Sequence, residues 1–253
     1  MPVEYIEEAI RRGMRSLGFS CHAPVPFPTS YTMKEGRLPE YKAAIGALKT
    51  QYSDRIDVYC GLEIDYIPGI VSPADPVFSE LGLDYFIGSV HVGGTFASGE
   101  HWMVDSGHVN FAKGIEQIYS GNARAAVEEY YRRTALMVSE TKPDIVGHFD
   151  LVKRSNAGNI HFDEGAGWYI ECSEATLQAV ARSDSIIEVN TGGLARGRCD
   201  SLFPSDRLLK RILELGIPVT ISADAHDPTF LTALFPETAE RLLQMGFREI
   251  YVM

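Results

Sequence analysis

With 253 residues, 45% of them hydrophobic and 23% charged, the chain has room for one large domain or two small ones and is too apolar for wholesale disorder. Its 34 Asp and Glu against 23 Lys and Arg give a net charge of −11, a surface that repels nucleic acid and anionic membranes. A small anionic substrate stays open, because a metal ion or local arginines can reverse the field inside one cleft.

From the N-terminus, Val3, Ile6, Ile10 and Met14 recur at helical spacing. Gly18 to His22 then reads as a short strand, and the Pro-rich stretch from Ala23 to Thr32 as a loop. A helix is expected over 38–53, a strand over Ile56–Ile64 ending in Glu63 and Asp65, and another over Asp84–His91. A Gly-rich loop carrying Trp102 precedes helices at about 109–119 and 123–140. Strands follow at Asp144–His148, Ser185–Asn190, Pro218–His226 and Glu249–Val252, separated by helices at about 171–182, 205–215 and 236–245. Strands alternating with helices argue for parallel β-α units and one α/β domain, 1–253, of the TIM-barrel kind. No apolar run reaches the roughly 20 residues of a membrane span, and Met1 to Glu8 lacks the pattern of a signal peptide. Cys21, Cys60, Cys172 and Cys199 have no C-x-x-C spacing and read as reduced thiols, which together point to a cytoplasmic protein.

The informative feature is where the titratable residues fall. His22, Glu63, His91, His148, Asp224 and His226 each lie at or just past the C-terminal end of an expected strand, the face on which barrels build their sites. Taken alone, His22, Glu63 or His91 reads more readily as a satisfied loop or core residue, while the Asp224–His226 pair reads equally well either way. Together, imidazole and carboxylate are compatible ligands for Zn, Mn or Fe, and a carboxylate such as Glu63 can bridge two ions. Asp224 and His226 are expected to point to one side, as residues i and i+2 of a strand. Arg154, Arg196 and Arg198 also lie beyond strand ends, where a guanidinium fork suits a phosphate, although a surface salt bridge explains each equally well. Asp150 and Glu188 read either as acids of the site or, preferably, as orienters of the histidines. His101, His108 and His161 read as solvated, and Cys21 as an ordinary thiol rather than a nucleophile.

The segments Gly18-Phe19-Ser20-x-His22, Gly61-Leu62-Glu63-Ile64-Asp65-Tyr66-Ile67-Pro68, Gly88-Ser89-Val90-His91, Gly147-His148-Phe149-Asp150-Leu151 and Ser222-Ala223-Asp224-Ala225-His226 appear in an order that resembles the polymerase and histidinol phosphatase (PHP) family. More narrowly, they resemble its histidinol-phosphatase branch. The resemblance implies a distorted TIM-like (β/α)7 barrel and a site of two or three divalent ions that hydrolyses phosphomonoesters. It assigns Glu63, His91 and His148 to one ion, Glu63 and Asp224 to a second, and His22 and His226 to a third. It gives Arg154, and either Arg196 or Arg198, to the phosphate. Two departures stand out: Cys21 occupies a position that is usually Asp, and no His precedes His22 where the family opens with a His-x-His strand. The barrel is therefore expected to lack its first strand, and the chain to hold fewer ions tightly. A second copy could cover the gap, so a homo-oligomer is among the expected partners. The expected reaction is hydrolysis of histidinol phosphate in histidine biosynthesis, with Asp150, His226 or a water helping the leaving group. The alternatives are another small phosphate ester or an inactive metal-binding relative.

Overall fold

The apolar runs become strands of one parallel sheet. The computed structural model describes residues 1–252. In chain order the strands are β1 (Ser16–His22), β2 (Asp57–Asp65), β3 (Tyr85–Ser89), β4 (Val92–Thr95), β5 (His101–Met103), β6 (Ile145–Val146), β7 (Ile186–Asn190) and β8 (Val219–Ser222). The helices are α1 (Pro2–Arg11), α2 (Leu38–Gln51), α3 (Pro76–Ser79), α4 (His108–Tyr119), α5 (Ala123–Thr141), α6 (Gly167–Ala181), α7 (Gly192–Ala195), α8 (Asp206–Leu215) and α9 (Phe235–Met245). Six strands pair in parallel in the order β1-β2-β3-β6-β7-β8, a curled half-barrel whose two edge strands, β1 and β8, are not bonded to each other. This is the expected distorted barrel one strand short of seven.

Helices cover the sheet, so its central strands are apolar on both faces, as parallel sheets require. From Cys60 to Asp65 every residue of β2 is buried. One core gathers α4, α5, α6 and α8 against the β6–β8 side, with Tyr130, Tyr131, Tyr169, Phe149 and Leu177 inside it. A smaller core packs Ile6 and Ala9 of α1 and Ile45 and Leu48 of α2 against Leu17 and Val58 of β1 and β2.

Three expectations need correction. The loop around Trp102 is an antiparallel hairpin, β4–β5, with the indole 1% exposed in the core and its Nε1 donating to Asn110 O at 3.0 Å. Glycine makes that packing possible: a Cβ on Gly114 would stand 2.0 Å from the indole. Glu249–Val252 forms no strand; it meets β8 through one bond, Tyr251 N to Val219 O at 2.8 Å. Finally, β8 stops at Ser222, so Asp224 and His226 lie beyond the strand, not on it.

Candidate metal centre

Parallel register brings the chemistry to one edge of the sheet. His22 at the end of β1 is in register with Glu63 of β2, and Asp65 of β2 with Ser89 of β3. His91 follows β3 by two residues, and His148 follows β6 by two.

Glu63 is the centre of the arrangement. Its Oε1 lies 3.0 Å from His148 Nε2 and 3.6 Å from His91 Nε2, and its Oε2 lies 3.6 Å from His22 Nδ1. Ser89 Oγ donates to Oε1 at 2.7 Å. Ligand atoms of His22, Glu63 and His91 all fall within 4.8 Å of one another. Glu63, His91 and His148 are each less than a tenth exposed. Burial would raise the Glu63 pKa, but the imidazoles of His22, His148 and His91 hold it well below the usual carboxylate range.

Asp65 holds His91 from behind. Its Oδ1 is 2.6 Å from His91 Nδ1 and accepts the His91 backbone N–H at 3.3 Å, while Tyr31 OH reaches its Oδ2 at 3.4 Å. A carboxylate at Nδ1 keeps a proton there, so the proton that a bound cation would displace is the one on Nε2, toward Glu63. Burial works against charge on this ring, yet Asp65, Glu63 and Asp105 raise its pKa to about 10. Beneath His148, Glu188 Oε2 accepts the His148 backbone N–H at 2.7 Å and Asn190 Nδ2 at 3.1 Å. Burial pushes the Glu188 carboxyl above its ordinary range.

These residues fit a divalent cation. Two ligands bound about 2.1 Å from one tetrahedral ion are separated by roughly 3.4 Å, close to the spacings around Glu63. His22 Nδ1 and His148 Nδ1 are buried without a hydrogen-bond partner, which is costly unless something else meets them.

Asp224 and His226 form a more open arm. Asp224 adopts a left-handed φ of 44°, so its side chain reaches the cleft from a turn. Arg196 Nη1 donates to Asp224 O at 2.5 Å and Nη2 to Asp224 Oδ2 at 3.1 Å. His226 Nδ1 meets the same carbonyl oxygen at 2.9 Å, and its ring lies 6.2 Å from that of His22. The His226 side chain is 57% exposed.

The cleft is open to solvent and is lined by all six expected ligands and by Arg154, Arg196 and Arg198. Arg154 Nη1 donates to Asp105 Oδ2 at 2.7 Å. Arg198 is exposed. Asp150 is elsewhere. It is wholly buried, its Oδ2 accepting Ser205 N–H at 2.9 Å before α8, with Lys153 Nζ at 3.7 Å. The expected role of Asp150 as an acid in the cleft is corrected accordingly: it fastens the backbone beneath the site. His101, His108, His161 and the four free cysteines do not line the cleft.

Sequence reasoning overlooked Asp65 and Asp105. Asp65 stands two residues from Glu63 on one strand, hence on the same side, and that spacing was a usable signal. Asp105 follows the unrecognised hairpin and had none.

The PHP domain family model matches residues 1–192. The chain belongs to the PHP family. A Deinococcus radiodurans relative named "Probable histidinol-phosphatase" is 28% identical over 251 residues, covering 98% of this chain and 89% of the relative. The Bacillus subtilis histidinol-phosphatase is 28% identical over 239 residues, covering 88% and 86%. The structure of histidinol phosphate phosphatase from Lactococcus lactis, complexed with Zn, L-histidinol and phosphate, superposes with a TM-score of 0.67 at 21% identity, covering 99% of this PHP chain and 89% of that one. Among the described residues of this PHP chain no helix is long and apolar enough to cross a membrane.

Proposed function

We propose that this PHP-family chain is a divalent-metal-dependent phosphomonoester hydrolase whose substrate is L-histidinol phosphate. The observation that carries the reading is a buried carboxylate, Glu63, ringed by three imidazoles, two of which keep a buried nitrogen without a partner. Histidinol-phosphatase relatives spanning most of the chain supply the substrate.

Glu63, His91 and His148 would hold one ion, Glu63 and Asp224 would take part in a second position, and His22 and His226 in a third. Bound there, Zn, Mn or Fe supplies Lewis acidity, which makes water a nucleophile near neutral pH and draws charge from phosphoryl oxygens. The chain's own residues do the rest. Asp65 fixes the face that the His91 ring presents, and Glu188 anchors the backbone that carries His148. Arg154, held in the cleft wall by Asp105, offers a guanidinium to the equatorial oxygens, where charge is spread in the transition state. Arg198 can add a second. The leaving alkoxide takes its proton from water, since Asp150 is sealed off and both ring nitrogens of His226 are engaged, Nδ1 with the Asp224 carbonyl and Nε2 as a ligand. Three arginines confined to one cleft of a protein of net charge −11 suit a small phosphate ester better than a nucleic acid. The reading places the activity in the cytoplasm, in residues 1–253 acting as one domain.

The test is phosphate release by the purified chain with added Mn or Zn, on histidinol phosphate and on p-nitrophenyl phosphate. The reading expects both to be hydrolysed, histidinol phosphate with the higher kcat/KM. Hydrolysis of p-nitrophenyl phosphate alone would redirect it to another small phosphate ester, and no release with any metal would overturn it.

A further inference from the structure

Two arginines follow the Gly192-Gly193 turn into the cleft, and their side chains stand in different circumstances. We propose that Arg196 is a positioning residue that locks the Asp224–His226 turn, and that Arg198 is the arginine of this loop that meets the phosphate. The inference rests on the cleft being a metallophosphatase site.

Asp224 and His226 converge without the help of a strand, because β8 ends at Ser222 and Asp224 turns through a left-handed φ of 44°. Something must hold that turn. Arg196 grips it twice, with Nη1 on the main-chain oxygen of Asp224 at 2.5 Å and Nη2 on its Oδ2 at 3.1 Å. A planar fork holds its donors in fixed geometry, so one guanidinium can engage a carbonyl and a carboxylate of one residue together, where a lysine ammonium is a single flexible point charge. The carbonyl is also met by His226 Nδ1 at 2.9 Å. With that nitrogen donating, Nε2 remains as the ring's free lone pair. Asp224 likewise keeps Oδ1 clear of the arginine. One guanidinium thus presets one oxygen and one nitrogen for a cation.

The surroundings are built for this grip. A Cβ on Gly192 would stand 2.3 Å from Ala223 O and 2.9 Å from both terminal nitrogens of Arg196, so only glycine lets loop and turn close on each other. The Arg196 side chain is 14% exposed, and its Nε is buried without a partner. Each terminal nitrogen already spends one of its two N–H groups on Asp224, so a phosphate taken here would compete with that grip. Arg198, two residues on, is exposed and lines the same cleft, and among the described residues its side chain has no hydrogen-bond or ion-pair partner. An incoming phosphate can engage Arg198 without dismantling anything.

The experiment compares R196A, R196K and R198A with the parent by equilibrium dialysis against Mn and by steady-state kinetics on p-nitrophenyl phosphate. R196A and R196K should bind their weaker-held metal about 10- to 100-fold less tightly, the range found when a ligand's outer support is removed. Their kcat should fall and recover in part at high metal concentration, with KM for the ester little changed. R196K keeps the charge and the stem but loses the fork, so it should not rescue, and it serves if R196A fails to fold. R198A should take up metal like the parent while KM rises at least ten-fold. The inference is overturned if either Arg196 variant binds metal like the parent while KM rises, or if R198A leaves KM unchanged. A parent protein that binds no metal would instead bring down the metallophosphatase reading on which the inference stands.

Discussion

The two arms of the site are built on different principles. Glu63, His91 and His148 are buried and rooted at or within two residues of β2, β3 and β6, where the register of a parallel sheet decides their spacing. Asp224 and His226 stand on a turn past the last strand, and one arginine and one glycine keep that turn in shape. The first arm is preorganised by the fold itself and shielded from water, which strengthens every electrostatic contact inside it. The second depends on a few local contacts beside solvent, where the same contacts are worth less. Metal affinity should therefore be graded across the cleft, tightest at the Glu63 end.

The largest effect should come from the centre of the buried arm. E63Q removes the charge that three imidazoles face, and should abolish tight metal binding and lower kcat on the order of 10³-fold. Elemental analysis together with phosphate release checks this; a variant that retains its metal would merge the two arms into one class. Next is Arg154. Its loss to alanine should cost about 2–5 kcal/mol in kcat/KM for phosphate esters, with metal content unchanged, since Asp105 and the substrate both lose a charged partner. Equal activity in R154A and the parent would remove Arg154 from the cleft chemistry.

Asp65 tests how the buried arm is held. D65A frees His91 Nδ1, and should weaken the tightest ion about 10- to 100-fold while the weaker ones barely change. A uniform loss across all ions would mean that Asp65 supports the whole cleft and not His91 alone. The smallest effect should come from Asp150. D150N keeps an acceptor for Ser205 N–H and should leave kcat within a few-fold of the parent, whereas loss of a general acid would cost 10²–10⁴-fold, roughly. D150A should lower stability by about 1–3 kcal/mol in a denaturant titration, because a buried backbone N–H is left unmet.

The contrast between the arms also explains what could be read from the chain. Strand ends carrying His22, Glu63, His91 and His148 were legible because apolar runs and their polar terminators are local signals, and parallel register does the rest. Asp224 and His226 were recognised as residues, but their geometry was misread: a strand's alternation was assumed where a left-handed turn, held by Arg196 from 28 residues away in sequence, does the work. No local pattern announces such a contact. The β4–β5 hairpin was hidden for a related reason, since Gly93, which reads as loop, is there to admit Trp102. Asp150 looked like a site residue from its place after His148, yet its buried side chain turns to the Ser205 N–H while its neighbours Leu151 and Arg154 line the cleft. Burial of one acid and exposure of the next is a tertiary fact.

The central claim is that Glu63, His91 and His148 gather around a divalent ion. Anomalous diffraction from crystals of the full chain grown with Zn, measured at the Zn edge, tests it most directly. The account predicts its strongest peak about 2.0–2.2 Å from a carboxylate oxygen of Glu63 and from ring nitrogens of His91 and His148. A strongest peak at the Asp224–His226 arm, or no peak in the cleft, would contradict it.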